Sequence, residues 1–134
     1  MGFGVPAAVA AALRFPDRQV VCAVGDGGAL MTGGELAVAV ARGAPVKLLL
    51  SDNGSYASIR IHQERAHPGR VSGTDLANPD FLRWCEAFRV PVLAVEGRAD
   101  LPRLAEALRA PGPLAAVVRT SLSAVLPPAV AAPE

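Results

Sequence analysis

Gln19-Val20-Val21-Cys22-Ala23-Val24, followed at once by Gly25-Asp26-Gly27-Gly28, is the stretch on which the fold of this 134-residue chain turns. Six nearly all-apolar residues with no polar alternation predict a short strand covered on both faces, the habit of parallel sheets. The glycines then break it. Working outward, Thr32-Gly33-Gly34-Glu35 has the spacing of a capping box and predicts a helix running to about Arg42, stopped by Gly43. Val46 to Ser51 (VKLLLS) reads as a second buried strand, ending in the polar turn Asp52-Asn53-Gly54-Ser55. Upstream, Pro6 to Leu13 is Ala-rich and helix-prone, with Pro6 in the first turn and Pro16-Asp17 ending it.

Downstream the alternation continues. Tyr56 to Arg65 is read as helical and His67 to Ala77 as a loop. Asn78-Pro79-Asp80 is read as an N-cap, a first-turn proline and an acidic second position, opening a helix to about Phe88. Val90 to Val95 is a third strand, with Pro91 placing it at a strand start or a sheet edge. Asp100-Leu101-Pro102 caps a helix to about Ala110, and Leu114 to Arg119 (LAAVVR) is a fourth strand. Alternating helices and strands predict a three-layer α/β/α domain with a mostly parallel sheet over residues 1–120. The Ala/Pro-rich residues 121–134 are expected to form a poorly ordered tail.

Composition narrows the function classes. Hydrophobic residues make up 51% and charged residues 19%, which argues against intrinsic disorder. The net charge is +1 and no basic stretch carries interleaved aromatics, so neither nucleic acid nor a membrane surface is an expected partner. Two cysteines are too few for a disulfide scaffold and read as buried fillers in a reducing compartment. No apolar run reaches the roughly 18 residues of a membrane span, and no basic segment precedes an apolar stretch as in a signal peptide. The expectation is a cytoplasmic globular protein. Aromatics are only 4%, so the core must be built from Ala, Val and Leu, letting helices sit close to a sheet.

In an open parallel sheet ligands bind beyond the carboxyl ends of the strands, and the polar interruptions at Gly25–Ala29 and Asp52–Ser55 lie at two such ends. Gly-Asp-Gly-Gly offers backbone N–H groups with little side chain in the way, suited to an anion. The Asp26 carboxylate would repel a phosphate unless a divalent cation lay between them. The competing reading is that a turn rich in Gly and Asp is only a turn. A dinucleotide fingerprint fits poorly, because Leu30 stands where its third glycine belongs and no acidic residue follows about 20 positions on. Asn53 comes one strand–helix–strand unit after Asp26. If the strands are neighbours, the Asn53 amide oxygen and the Ser55 carbonyl can join Asp26, two diphosphate oxygens and a water around Mg²⁺. An Asn in a turn also commonly caps its own backbone.

Gly25-Asp26-Gly27 followed by Asp52-Asn53 resembles the diphosphate motif of thiamine diphosphate enzymes, whose usual form ends in Asn-Asn. Met1-Gly2-Phe3-Gly4-Val5-Pro6-Ala7-Ala8 and Pro16-Asp17-Arg18-Gln19-Val20-Val21 resemble the segments preceding that motif in the acetolactate synthase and benzoylformate decarboxylase group. The resemblance implies the thiamine diphosphate-binding fold, with thiamine diphosphate and Mg²⁺ as cofactors. It places Mg²⁺ on Asp26, Asn53 and the Ser55 carbonyl. It places the diphosphate on the Gly27, Gly28 and Ala29 backbone, with Gly25 and Tyr56 beside it, and Met1 beneath a bent cofactor. It implies chemistry on small 2-oxo acids, by decarboxylation or carboligation.

It also implies a pyrimidine-binding domain, with a glutamate for the aminopyrimidine ring, that this sequence does not contain. The partner would be another chain, a homo-oligomer mate, or the rest of a longer protein, and starting on the Met of Met-Gly-Phe-Gly favours a piece of a longer protein. The single chain is expected to be inactive alone. Two other readings stand beside this: a non-catalytic remnant, and an α/β module for a different phosphate ligand. Among the remaining polar residues, Arg60, His62, Gln63, Glu64 and Arg65 read as a solvated helix face or an oligomer contact, with His62 as a candidate proton carrier. Trp84 and Cys85 read as core.

Overall fold

The computed structural model of the chain describes residues 1–124. Six helices, α1 (Gly4–Arg14), α2 (Asp26–Thr32), α3 (Leu36–Ala41), α4 (Ala57–Ala66), α5 (Phe81–Ala87) and α6 (Leu101–Arg109), alternate with strands β1 (Val20–Gly25), β2 (Val46–Asp52), β3 (Val92–Val95) and β4 (Leu114–Arg119). The strands form one wholly parallel sheet in the order β1-β2-β4-β3. Register sets Gly25 beside Ser51, and Asp52 beside Arg119, so the carboxyl ends of three strands finish nearly flush.

The layers follow from the apolar pattern. On one face Val5 and Val9 of α1, Leu36 and Ala39 of α3, and Phe81 and Cys85 of α5 bury against Cys22, Leu48, Leu50 and Ala115. On the other, Leu104, Ala107 and Leu108 of α6 pack on Leu93, Val95, Leu114 and Ala116. The three-layer α/β/α fold read from the sequence is therefore present. Small residues bring the layers together: a Cβ on Gly33 would lie 2.2 Å from the Trp84 ring edge, so only glycine admits that ring. Trp84 meets Phe81 and Phe88 edge-on at 5.9 and 5.3 Å between centroids. Both cysteines are buried free thiols. Burial, with the Glu86 charge beside it, pushes the Cys85 thiol up to about 11.

Four local expectations are corrected. β1 is an edge strand covered on one face only, because α6 sits over β3 and β4; Val21 is 49% exposed and Ala23 is exposed too. The capping box at Thr32 does not form: the helix opens earlier, at Asp26, and the Thr32 hydroxyl donates to the Gly2 carbonyl. Asp80, not Asn78, caps α5, accepting from the Leu82 and Arg83 N–H groups at 3.0 and 3.1 Å. The α4 face is not uniformly solvated, since Glu64 is buried and accepts from Gly69 N–H at 2.9 Å.

The boundaries of α1, β2, β3, α6 and β4 otherwise fall close to their sequence positions, and β3 is an edge strand beginning just after Pro91. Lys47, in the middle of an apolar strand, is buried and donates to the Ala110 and Gly112 carbonyls at 2.5 and 2.6 Å, closing the carboxyl end of α6. Burial lowers its pKa. Of the residues expected to form the tail, Leu122–Ala124 make one 3-10 turn and 125–134 lie outside the described residues. Among the described residues no helix is long and apolar enough to cross a membrane.

Candidate functional site

β1 runs into α2 with no loop between them. Gly25 is extended, with φ −77° and ψ 159°, and Asp26, Gly27 and Gly28 form the first helical turn, where N–H groups have no partner within the helix. Asp26 is 1% exposed. Its Oδ1 accepts from Gly27 N–H at 2.8 Å. Its Oδ2 accepts from Asn53 N–H at 3.1 Å, Gly54 N–H at 2.7 Å and the Asn78 amide at 2.8 Å. The carboxylate of the first turn thus anchors the backbone of the second.

That second turn leaves β2 at Asp52 and reverses at Gly54, whose φ of +70° suits glycine. The Asn53 side-chain oxygen accepts from Ser55 N–H at 3.1 Å, the self-capping arrangement that the sequence also allowed. The loop after α4 latches the turn: Leu76 N–H donates to Gly54 O, while Tyr56 N–H and the Ser55 hydroxyl both donate to Thr74 O, each at 2.8 Å. The Ser55 carbonyl accepts from Ala57 N–H at 2.8 Å.

A cavity of about 370 Å³ opens between the two turns and the amino end of α1. Met1, Gly25, Asp26, Gly27, Gly28, Asn53, Ser55 and Tyr56, all named from the sequence, line it. Ala29 does not, being fully buried in the core. A Cβ on Gly25 would meet no atom within 4 Å, whereas one on Gly27 would lie 2.3 Å from Tyr56 Cε1, so the Tyr56 ring rests on the Gly27 backbone. His62 does not line this cavity.

This donor set fits a metal-bridged diphosphate. Carboxylate, amide and carbonyl oxygens suit a hard cation, and the helix-opening backbone, where Gly27 N–H already meets Asp26 Oδ1 and Gly28 N–H has no partner within the helix, suits an anion. Among the described residues no three His, Cys, Asp or Glu side chains converge, so a cation here would draw further oxygens from backbone, solvent or phosphate.

The residue that sequence reasoning missed is Asn78. Its amide donates to Asp26 Oδ2 and to Asp52 Oδ1, both at 2.8 Å, and Asp52 Oδ2 is met by Arg119 Nη1 at 2.9 Å. The available signal was redundancy: Asn78 and Asp80 are both cap-type residues at the start of one helix, and a helix uses only one. On the far side of this wall lies a larger cavity, about 490 Å³, lined by Asp52, Asn78, Glu96 and Arg119 among others.

Residues 1–118 match the protein family described as thiamine pyrophosphate enzyme, C-terminal TPP binding domain. The chain belongs to this family. It is similar to the acetolactate synthase large subunit of Parasynechococcus marenigrum (strain WH8102), 41% identical over 116 residues, covering 84% of this chain and 19% of that protein. It is 33% identical over 132 residues to the mitochondrial acetolactate synthase catalytic subunit of Saccharomyces cerevisiae, covering 98% of this chain and 19% of that protein. It is also 41% identical over 91 residues to the acetolactate synthase isozyme 2 large subunit of Escherichia coli K12, covering 67% of this chain and 17% of that protein. The chain therefore spans about a fifth of the length of these relatives.

Proposed function

We propose that this chain is the magnesium- and diphosphate-holding part of an acetolactate synthase-like enzyme acting on 2-oxo acids. The observation that carries the reading is the buried Asp26 carboxylate at the junction of two strand-end turns, beside a cavity floored by the opening N–H groups of α2. In this reading Asp26 and Asn53 give side-chain oxygens to Mg²⁺ and Ser55 gives its carbonyl. The Gly27 and Gly28 backbone holds the diphosphate, with Gly25 and Tyr56 at its sides and Met1 at the cavity's other end. Thiamine diphosphate, when bound, supplies the carbanion chemistry by which 2-oxo acids are cleaved or joined.

The residues of this chain bind, orient and exclude water. None is proposed as a proton carrier, and the glutamate expected against the pyrimidine ring would come from a pyrimidine-binding domain on another chain or on the rest of a longer one. Met1, Phe3 and Met31 are 67%, 79% and 50% exposed, which supports a docked partner near the cavity. The two buried free thiols are in keeping with a reducing, cytoplasmic setting.

Titration calorimetry tests the reading. Thiamine diphosphate is expected to bind with Mg²⁺ present and not after chelation, and Asp26→Ala to weaken binding by at least about 2 kcal/mol, roughly 30-fold. Equal affinity with and without Mg²⁺ would remove the proposed metal bridge.

A further inference from the structure

We propose that Asn78 is a positioning residue that holds the Asp26 carboxylate for its cation; this rests on the magnesium reading above. The Asn78 amide spends its two hydrogens on two different acids, reaching Asp26 Oδ2 and Asp52 Oδ1 at 2.8 Å each. Those acids stand at the ends of neighbouring strands and would otherwise repel one another. Asp52 is compensated from its other side by Arg119, its register partner on β4, at 2.9 Å. Asp26 makes no ion pair of its own among the described residues, so of the two acids it is the one left to attract a cation.

The bridge also divides the work of the Asp26 oxygens. Among the described residues Oδ2 accepts three N–H donors, while Oδ1 accepts Gly27 N–H alone and keeps a lone pair for a cation. Two features show that Asn78 is aimed by its donor end. Among the described residues its own Oδ1 is buried without a hydrogen-bond partner, a cost that turning the amide over would relieve only by setting an oxygen against two carboxylates. Pro79 follows it and biases its backbone to an extended conformation, which stiffens the approach. Hydrogen bonds of this kind, one shell out from a ligand, fix the ligand's orientation and its affinity for metal.

The experiment counts free Mn²⁺ by electron paramagnetic resonance, with thiamine diphosphate saturating, in the full chain and its variants. Asn78→Ala is expected to weaken Mn²⁺ binding about 10-fold. Its affinity for thiamine diphosphate at saturating Mn²⁺ should move by less than about 3-fold, a split that a general loss of packing would not produce. Asp52→Asn, which leaves Asn78 an oxygen to donate to, should stay within about 3-fold of the parent. If Asn78→Ala does not fold, Asn78→Ser carries the same expectation, since one hydroxyl hydrogen cannot serve two acids. Mn²⁺ affinity unchanged in the Asn78 variant while Asp26→Ala loses it would overturn this proposal and leave the metal site standing. Asp26→Ala binding Mn²⁺ as the parent does would overturn both.

Discussion

The two strand-end turns that meet at the cavity are built on opposite principles. The first, Gly25 to Gly28, is local: an extended residue followed directly by a helix, with nothing distant needed to shape it. The second, Asp52 to Ser55, is held from elsewhere, by Asp26 on one side and by Thr74 and Leu76 on the other. The proposed function asks both turns to present oxygens to one point. The first turn keeps its backbone course by itself and needs Asn78 only to aim its carboxylate, whereas the second holds its shape only while its partners stay in place. Asp26 is therefore a structural pin, whatever becomes of its proposed role as a ligand.

Removing the pin should have the largest effect. In metal-free buffer Asp26→Ala leaves the Asn53 and Gly54 N–H groups and one of the two Asn78 amide hydrogens without their acceptor, and is expected to cost about 2–4 kcal/mol of stability in denaturant unfolding. Amide exchange should speed at Gly54 and leave Leu48, in the middle of the sheet, slow. A variant as stable as its parent would mean that the second turn stands by itself, and the contrast between the turns would be lost.

Glycine substitutions sharpen the comparison within the first turn. Gly27→Ala drives a methyl to 2.3 Å from Tyr56 Cε1, and displacing that ring should cost about 1–2 kcal/mol and weaken cofactor binding. Gly25→Ala meets no atom within 4 Å at a backbone angle open to any residue, so its stability should change by less than about 0.5 kcal/mol. Equal thermal midpoints for the two variants would show that Tyr56 does not need the bare Gly27 backbone.

The same division explains what the sequence made legible. Strand positions along the chain could be anticipated because apolar runs bounded by Gly and Pro report buried parallel strands, and β2 and β4 behaved accordingly, whereas their order in the sheet was not read. The reading of β1 failed because an apolar strand looks the same whether or not a helix covers its second face. Asp26 and Asn53 were legible as neighbours from the rule that ligands gather at strand ends, and in the structure it is the Asn53 backbone N–H that meets the Asp26 carboxylate. Asn78 was not, because its partners lie 52 and 26 residues away and its neighbourhood resembles a helix cap. Thr32 failed for the same reason in reverse: its spacing fits a cap, but α2 is already under way and its hydroxyl goes to Gly2.

Asn53 is where local and long-range readings compete on a single side chain, and where only a small stability effect is expected. Its amide oxygen takes Ser55 N–H at 3.1 Å, a bond within its own turn, and a second lone pair remains for a cation. Asn53→Ala should therefore lower metal-free stability by no more than about 1 kcal/mol, because Asp26 still holds the backbone of the turn. The same variant should weaken Mg²⁺-dependent thiamine diphosphate binding about 10-fold, since an oxygen of the metal shell is gone. Calorimetry beside denaturant unfolding separates the two roles. A stability loss with unchanged affinity would make Asn53 a turn cap and nothing more, leaving Asp26 as the only side chain of this chain on the metal. An affinity loss with little change in stability would place the two turns on one cation, through one oxygen held by its neighbours and another held by its own loop.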